Sequence, residues 1–381
     1  APTLDPRMST EQAARRRDFT INAMAIDLET GDLHDPFGGM QDLRNGILRA
    51  TDPELFVQDP LRALRAMQLL ARKAKSVDLD TLVLIRGMVD DFDTLPPERV
   101  HEEFRKLLLK AHRPSVGLEF LADSGWISKF PELDALRGVG QSPVWHPEGD
   151  VWAHSLLAAD AAAEQRSSVP EEDQETVAFA ALLHDVGKPA TTVLPEHVAA
   201  GLAPKERQWS AHGHDLAGMG PADRFLQRLT GPEGGKVLRK RVSRLVGEHM
   251  QPFNLVDGNA GRGAWARLHR RLQADHVDLR LLARVCQCDA CATSEDWKTR
   301  SLAAGVPNWE HRTSEALFSH AEDFKKVEPV PLVMGRDLIA LGMKPGRHFS
   351  VLLAACLEFQ DSDASATKQD IIDHVVTKET P

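Results

Sequence analysis

The chain has 381 residues and a formal net charge of −10, from 46 lysines and arginines against 56 aspartates and glutamates. This acidic balance argues against a general nucleic-acid coat protein. No apolar run approaches the roughly 20 residues of a membrane-spanning helix and we identify no signal peptide, so we expect no membrane partner. Four cysteines are too few for a disulfide scaffold at this length, which predicts a reducing, cytoplasmic location.

The predicted elements change early from strand to helix. Residues 19–21 and 24–26 have strand character, and residues 29–32 have the composition of a turn between strands. Beyond residue 39 the apolar residues recur at helical spacing, which predicts helices over 55–73, 81–89 and 98–111. The stretch 138–149, with its prolines and glycines, is the predicted linker to further helices. We therefore expect a mainly α chain with a small αβ segment at its start.

A carboxylate and a guanidinium are predicted to lie side by side, because Asp59 and Arg62 are three residues apart on an expected helix. Such a couple offers an acceptor and paired donors at the width of a base's Watson–Crick edge, which is the chemistry needed to choose an incoming base. Arg65 and Arg72 continue the same stripe. An intrahelical surface salt bridge is the alternative interpretation.

Basic residues are clustered despite the negative net charge. Each cluster could line a phosphate-facing strip or form a solvated helix face, and the sequence leaves both open. The clusters are residues 15–17, 62–75, 236–244 and 262–271.

An ordered series of motifs surrounds Asp59 and Arg62. The series reads Arg-Arg-Asp-Phe-Thr-Ile-Asn-Ala-Met at 16–24, Leu-His-Asp-Pro-Phe-Gly-Gly at 33–39, Asp-Pro-Leu-Arg-Ala-Leu-Arg at 59–65, Glu-Arg at 98–99, Glu-Glu-Phe at 102–104, Pro-Leu-Val-Met-Gly-Arg-Asp-Leu-Ile at 331–339 and Gly-Met-Lys-Pro-Gly at 342–346. In this order the motifs resemble the class II tRNA nucleotidyltransferase and bacterial poly(A) polymerase family. The resemblance extends over nearly the whole chain. Gln58 departs from it, since the family usually has Glu there.

This resemblance implies nucleotide-binding roles for five residues. Arg17 and Asp18 would contact the sugar and triphosphate of the incoming nucleotide. Asp59 and Arg62 would select between C and A, with Arg65 beside them. ATP and CTP are the implied substrates, and the tRNA 3′ end is the implied partner, held through its backbone by Arg and Lys of the body helices. The same pocket residues serve CCA, A-only, CC-only and poly(A) addition, so the resemblance does not separate these activities.

Transfer chemistry needs carboxylates that the start of the sequence does not show. Two-metal phosphoryl transfer uses carboxylates that bridge the ions. The first 17 residues contain only Asp5 and Glu11 as acids, and no Gly-Gly turn leads into an Asp-x-Asp strand. We therefore expect that the chain alone does not polymerise nucleotides. Either the N-terminal catalytic strands are truncated, or a separate chain supplies them, or the activity has been lost.

A second constellation follows residue 150. His184-Asp185 ends an apolar helix expected over 177–183, with Gly187 and Pro189 as its termination signal. Adjacent residues at a helix end diverge by about 100°, so both can reach a metal ion between them. Mixed imidazole and carboxylate ligands suit Mg, Mn, Fe, Co or Ni, and an open coordination position would activate water for attack on a phosphate ester. Core histidines with satisfied hydrogen bonds are the alternative interpretation.

The whole histidine and aspartate series resembles the HD-domain metal phosphohydrolases. The resemblance implies one divalent ion (Mg, Mn or Ni) held by four residues: His154, His184, Asp185 and Asp289. Two further histidines, His214 and His249, would hold a second ion or grip the phosphate. His184 and Asp185 would carry catalysis together with Lys188, which would neutralise the substrate phosphate.

Two choices within this constellation are made on the sequence pattern. His214 is preferred to His212, because Gly213-His214-Asp215 matches the family pattern better. The cysteines at 286, 288 and 291 bracket Asp289 and could suggest a thiolate zinc site, but no fourth cysteine lies nearby. Buried thiols beside a metal-binding aspartate are the preferred interpretation.

Together the resemblances predict four units in a mainly α fold. They are a partial α/β nucleotidyltransferase head at 1–50, neck and body helices that bind nucleotide and tRNA at 51–137, an HD metal phosphohydrolase domain at 150–292 and a C-terminal helical tail at 329–381. The first functional hypothesis is a tRNA nucleotidyltransferase-family chain fused to a metal-dependent phosphohydrolase. The second is that only the HD phosphohydrolase acts, on 2′,3′-cyclic phosphates or nucleotides. The third is a non-catalytic tRNA-binding remnant.

Overall fold

The computed structural model describes residues 8–143, 145–203, 208–292, 316–322, 331–363 and 365–376. It confirms the prediction of a mainly α fold. The α-helices of the described residues are α1 Thr10–Arg15, α2 Gly39–Asn45, α3 Pro53–Phe56, α4 Leu61–Lys73, α5 Leu79–Gly87, α6 Pro97–Lys110, α7 Pro114–Asp123, α8 Pro131–Asp134, α9 Val151–Glu164, α10 Glu171–Leu183, α11 Lys188–Thr191, α12 Pro195–Ala199, α13 His214–Thr230, α14 Lys236–Glu248, α15 Gln251–Asp257, α16 Arg262–Gln273, α17 Leu279–Cys291, α18 at 316–322, α19 Gly335–Ala340, α20 His348–Ser362 and α21 Lys368–Ile371.

Shorter helical turns connect several of these helices. The 3₁₀ helices are Thr20–Asn22, Val89–Thr94, Trp126–Lys129 and Arg166–Ser168, and a π-helical turn spans Ile372–Val376. Within the described ranges, no helix combines the length and the apolar character needed to cross a membrane.

The strands are short and form two separate pairs. β1 (Ala25–Ile26) runs antiparallel to β2 (Leu33–His34), and β3 (Ile47–Leu48) runs parallel to β4 (Ser76–Val77). The predicted turn at 29–32 lies between β1 and β2, where a carboxylate, that of Asp27, accepts two backbone N–H groups. The prediction of a strand over 24–26 followed by a turn is therefore confirmed.

The prediction of a strand over 19–21 is wrong. Thr20–Asn22 forms a 3₁₀ helix, and Phe19 makes only an isolated antiparallel bridge with Ala50. Asp18 explains the turn, because its Oδ1 accepts the backbone N–H of Phe19 at 2.8 Å and the Asn22 side-chain amide at 3.1 Å. A side chain that binds nearby polar groups in this way competes with strand pairing.

The helix predicted over 55–73 is interrupted. α3 ends at Phe56 and α4 begins at Leu61, so Asp59 precedes the helix that carries Arg62. Pro60 disfavours a helical conformation for the residue before it, and Asp59 Oδ1 accepts the N–H of Leu61 at 3.2 Å. The other two predicted helices are present as α5 and α6, with starts shifted by one or two residues.

One hydrophobic core runs from the N-terminal segment through α18. α4 packs against α6 and α7, and α9 packs against α10 and α17. The Phe104 ring lies 5.0 Å from that of Phe130 and 5.7 Å from that of Phe225, measured between centroids. Phe104 belongs to α6 and Phe225 to α13. The helices before and after residue 150 are therefore packed into the same core.

A smaller core holds the C-terminal segment. Its buried members are Val333, Leu338, Leu352, Cys356, Ile371 and Val376. α20 contacts α16, where Arg270 forms an ion pair with the Asp361 carboxylate and Arg262 donates to the Asp361 carbonyl at 2.8 Å. Polar contacts therefore attach this segment to the main body.

Candidate functional site

The predicted metal ligands converge from five helices. They are His154 of α9, His184 and Asp185 after the end of α10, His214 at the start of α13, His249 after the end of α14, and Asp289 of α17. The four histidines and Asp185 are buried. α10 is buried continuously over residues 176–183, so its C-terminal end lies inside the protein and places the His-Asp pair there.

A close helix approach at Gly187 completes the arrangement. A Cβ atom at this position would lie 2.0 Å from the His214 carbonyl oxygen and 2.6 Å from the backbone nitrogen of Gly218. Glycine alone allows α13 to come this close to the turn that follows Asp185. Gly187, which the sequence identified as part of a helix-termination signal, therefore also allows His214 to lie close to Asp185.

Four of the residues form a first group around one oxygen of Asp185. His154 Nε2 lies 3.0 Å from Asp289 Oδ1 and 3.2 Å from His184 Nε2. Asp185 Oδ2 lies 3.3 Å from His184 Nε2 and 3.7 Å from His154 Nε2. His154, His184 and Asp185 are close enough for one ion to contact a ligand atom of each.

A second group forms around the other oxygen of the same carboxylate. Asp185 Oδ1 lies 3.1 Å from His214 Nε2 and 4.0 Å from His249 Nε2, and the two imidazole nitrogens are 3.1 Å apart. These three residues also have the spacing of metal ligands. Asp185 therefore lies between two sets of donors, with one oxygen directed at each.

Backbone carbonyls fix the orientation of three of the rings. Nδ1 of His184 contacts the carbonyl of Ala181 at 2.8 Å, and Nδ1 of His249 contacts that of Val246 at 2.7 Å. Nδ1 of His214 contacts the carbonyl of Ala211, also three residues earlier, at 2.7 Å. A proton held on Nδ1 by a carbonyl leaves Nε2 as the donor atom for a metal ion. This donor set, imidazole nitrogens with carboxylate oxygens, fits a divalent transition metal or Mg.

The charges in the cluster follow from its burial and its contacts. Burial lowers the pKa of His184, but the charges of Asp185 and Asp289 outweigh it and raise that pKa to about 10. Burial lowers the pKa of His249 to about 4, helped by the charges of His214 and His184. Burial alone would raise the pKa of each aspartate, yet the neighbouring cations hold both values well below the usual range. Both carboxylates are therefore anionic at neutral pH.

Lys188 adds a cation at the edge of the cluster. Its Nζ lies 2.6 Å from Asp185 Oδ2 and donates to Gln141 Oε1 at 2.6 Å. The side chain is largely buried, with 11% of its surface exposed. The ammonium group is therefore held beside the carboxylate that separates the two donor groups.

Sequence reasoning missed the contribution of residues 138–149. This stretch was expected to be a linker, yet Glu148 has only 2% of its side chain exposed and contacts the rings of His146 and His154. Gln141 of the same stretch accepts a hydrogen bond from Lys188. Prolines and glycines give this stretch no helical or strand periodicity, so no local sequence signal marked these contacts.

The structure separates the alternatives for the remaining candidates. His214 is in the cluster, whereas His212 is exposed. Burial raises the pKa values of the Cys286 and Cys288 thiols, and Cys286 Sγ donates to the His249 carbonyl at 3.4 Å. Cys286 and Cys288 are buried, which favours their interpretation as buried thiols, whereas Cys291 is exposed.

The predicted nucleotide-binding residues lie around the start of α4. Asp18 is buried, and its Oδ2 forms an ion pair with Arg65 Nε at 2.9 Å. Arg62 donates to the Arg16 carbonyl and to the Leu55 carbonyl, both at 2.8 Å. Two basic side chains of α4 therefore hold the segment that contains Arg16 and Asp18, while the Arg17 side chain is exposed.

The predicted direct couple between Asp59 and Arg62 is not formed. Asp59 Oδ2 accepts instead from Arg99 Nη2 of α6 at 2.9 Å. Burial lowers the pKa of Arg62, and the charges of Asp18 and Asp59 partly oppose this shift. Asp59 is thus near enough to Arg62 to influence its charge, but its hydrogen bond goes to another helix.

Most of the clustered arginines pair with acids of the same chain. The pairs are Arg15–Asp52, Arg65–Asp18, Arg239–Asp223, Arg241–Asp173, Arg244–Asp275, Arg270–Asp361 and Arg271–Glu248. At these positions the clusters hold the fold together. The exposed basic residues of the four clusters include Arg16, Arg17, Lys73, Lys240 and Arg267.

Three family models match successive parts of the chain. The model described as Poly A polymerase head domain matches residues 3–49. The model described as Probable RNA and SrmB- binding site of polymerase A matches residues 76–136, and the HD domain model matches residues 151–291. The first range includes Arg17 and Asp18, and the HD range includes all six predicted metal ligands.

Curated relatives match about two thirds of the chain. The Multifunctional CCA protein of Stenotrophomonas maltophilia is 40% identical over 253 residues, which covers 65% of this chain and 57% of that protein. The Multifunctional CCA protein of Neisseria meningitidis is 40% identical over 245 residues, or 63% of this chain and 53% of that protein. The chain thus spans little more than half the length of these relatives.

Solved structures show the same fold. The CCA-adding enzyme of Bacillus stearothermophilus in complex with CTP gives a TM-score of 0.56 at 20% identity, covering 97% of this chain and 76% of that chain. The CCA-adding enzyme of Thermotoga maritima complexed with tRNA gives 0.52 at 18% identity, covering 97% and 74%. No comparison supports a separate chain that supplies catalytic strands. The chain therefore carries regions that match the Poly A polymerase head domain, the RNA-binding site of polymerase A and an HD domain, and it is similar to the Multifunctional CCA proteins over part of their length.

Proposed function

We propose that the HD domain of this chain is a divalent-metal phosphohydrolase. One observation carries the proposal: Asp185 directs one oxygen at each of two buried groups of imidazoles. Oriented Nε2 atoms that face one buried carboxylate from two sides form the mixed imidazole and carboxylate donor set of a divalent-metal site. A satisfied core histidine would not need three other histidines and two aspartates facing it.

The residues can be assigned roles from their contacts. His154, His184, Asp185 and Asp289 would hold one ion (Mg, Mn or Ni), and Asp185 with His214 and His249 would hold a second ion or the phosphate. Such an ion would supply Lewis-acid stabilisation for the hydrolysis of a phosphate ester. Lys188, 2.6 Å from Asp185, would place a positive charge where the anionic substrate enters. The buried histidines exclude bulk water and therefore strengthen these electrostatic contacts.

The substrate class that we infer is a nucleotide or an RNA end with a 2′,3′-cyclic phosphate. The HD helices share their core with the segment matched by the RNA-binding model, which supports a substrate of this class. A cytoplasmic location is part of the proposal and is supported by the four cysteines, which form no disulfide.

Hydrolysis of 2′,3′-cyclic AMP with Mg, Mn and Ni in turn tests this proposal. His214→Ala should lose most of the activity, whereas His212→Ala, two residues away and exposed, should retain it. Equal turnover by wild type and Asp185→Ala would remove metal catalysis at this site from consideration. Equal losses in both histidine variants would mean that His214 acts only through folding.

A second candidate function, nucleotide and tRNA binding, is favoured by the contacts of α4. Arg62 and Arg65 hold the segment that carries Arg17 and Asp18, so four of the five residues implied by the family resemblance lie in one region. We propose that this region binds ATP or CTP and contributes to addition of CCA or A at the tRNA 3′ end. Equilibrium binding of labelled ATP and CTP tests it. Arg62→Ala should weaken binding about tenfold or more, and Lys73→Ala, exposed at the end of the same helix, should not.

A further inference from the structure

We propose that Glu148 is the positioning residue that fixes the ring of His154 so that its Nε2 faces the metal ligands. This inference rests on the proposed metal-binding function of the HD domain and assigns a residue that neither the sequence motifs nor the ligand series includes. Glu148 lies in the stretch before α9, outside every helix of the described chain.

The contacts of Glu148 are concentrated on two imidazoles. Its Oε1 lies 2.8 Å from His154 Nδ1 and 2.9 Å from His146 Nδ1. The side chain is 2% exposed, and among the described residues its Oε2 has no hydrogen-bond partner. Among the described residues, this carboxylate forms no ion pair with a lysine or an arginine and accepts no hydrogen bond from the backbone of another residue. Its contacts serve the orientation of the two histidine rings.

His154 needs such a partner because its position differs from that of the other histidines. His184 and His249 follow the ends of their helices, and His214 begins one, where each finds a backbone carbonyl three residues earlier. His154 lies inside α9, and the carbonyl three residues earlier, that of Val151, accepts instead from the Ser155 hydroxyl at 2.9 Å. The ring must therefore find its acceptor outside its own helix.

Two acceptors reach Nδ1 of His154, and the carboxylate is the closer one. The distance is 2.8 Å to Glu148 Oε1 and 3.2 Å to the carbonyl of Ala292. A carboxylate behind a metal-binding imidazole fixes the ring and makes it a stronger donor, and the loss of such a partner typically weakens metal binding by about 10- to 100-fold. Of the two acceptors at Nδ1 of His154, Glu148 is therefore the closer one and the one that carries a charge.

Calorimetric titration of the metal-free chain with Mn²⁺ tests this role without reference to catalysis. Glu148→Gln keeps the shape and an acceptor oxygen but removes the charge, and we expect its affinity for Mn²⁺ to fall about tenfold. Glu148→Ala should fall further, toward about 100-fold. Glu164→Gln, an exposed position at the far end of α9, is the matched control and should bind like wild type.

Nitrogen NMR of the histidine rings gives a second readout. In the metal-free wild type, the Nδ1 proton of His154 should show the low-field shift of a hydrogen bond to a carboxylate, and Glu148→Ala should lose this shift while the Nδ1 proton of His249 is unchanged. Unchanged Mn²⁺ affinity in Glu148→Gln would overturn the proposal, even if Glu148→Ala failed to fold. Weakened Mn²⁺ binding in that variant, in a chain that hydrolyses no phosphate ester, would support the positioning role and reject the proposed activity.

Discussion

Asp160 accepts hydrogen bonds from both the backbone N–H and the hydroxyl of Ser115, at 2.8 and 2.7 Å. Ser115 is the second residue of α7, whose first N–H groups have no partner within the helix. Asp160 belongs to α9, the helix that carries His154. A single buried carboxylate therefore caps a helix of the segment matched by the RNA-binding model and fixes a ligand-bearing helix of the HD domain.

Replacement of this carboxylate should destabilise the whole protein. Asp160→Ala leaves the N–H and the hydroxyl of Ser115 buried without an acceptor, which costs about 1–3 kcal/mol in the free energy of unfolding. Urea denaturation of the full chain measures it. Glu164→Ala, exposed on the same helix, should change the midpoint little. A loss confined to the HD helices, with α7 unaffected, would contradict the shared core.

Glu175 makes a second connection across this junction, and its effect should depend on pH. It accepts from Arg105 Nε at 3.0 Å and lies 2.7 Å from His101 Nε2. Burial raises the pKa of Glu175, but these two partners outweigh it, so the pKa lies below the usual 4.5. A depressed pKa means that the charged form stabilises the fold above about pH 4.5, and that this contribution is lost as the pH falls through the lower folded value.

Glu175→Gln should therefore destabilise the protein by about 1 kcal/mol at pH 7, a modest value because the group is partly exposed. The difference in unfolding free energy between wild type and variant should shrink as the pH falls from 5 to 3.5. Glu102→Gln, an exposed glutamate of the same helix as Arg105, serves as the control and should show almost no difference at either pH. If the difference in unfolding free energy grew as the pH fell, the pKa of Glu175 would be raised by folding and not lowered, which would contradict this prediction.

The sequence predicted the features of this site that depend on local pattern. His184-Asp185 could be placed at a helix end because the apolar run over 177–183 and the following Gly187 mark that end. The mainly α fold followed from the same periodicity. The strand prediction over 19–21 was wrong because the carboxylate of Asp18 accepts a hydrogen bond from the N–H of Phe19. That contact is local, but the sequence pattern gives no sign of it.

Contacts between segments that are distant in the sequence could not be predicted for a different reason. Three-residue spacing placed Asp59 beside Arg62, yet the partner of Asp59 is Arg99, 40 residues away. Gln141 accepts a hydrogen bond from Lys188, 47 residues away, in the same manner. Such pairs depend on tertiary packing, which no single-sequence periodicity encodes.

Binding of a divalent ion should stabilise the fold in proportion to its occupancy. Mn²⁺ at about 100 times its dissociation constant should add about 2.7 kcal/mol to the free energy of unfolding, and a chelator should reverse the effect. Asp185→Asn removes the charge that lies between the two ligand groups, so its unfolding temperature should not rise on addition of Mn²⁺. His212→Ala should respond like wild type in the same thermal denaturation experiment. If Mn²⁺ raised the unfolding temperature of Asp185→Asn as much as that of the wild type, the ion would bind at another site.

The C-terminal segment offers a test of local stability, because its core is separate and Asp361 attaches it to α16. Asp361 is buried and pairs through its carboxylate with Arg270. Asp361→Asn leaves that guanidinium with a weaker partner, and breaking a buried pair of this kind costs roughly 3 kcal/mol. Amide hydrogen exchange in α20 should therefore accelerate about 100-fold, while exchange in α9 stays unchanged. Glu358→Gln, exposed on α20, should leave both rates as in the wild type, and equal acceleration in both variants would show that the attachment does not depend on this ion pair.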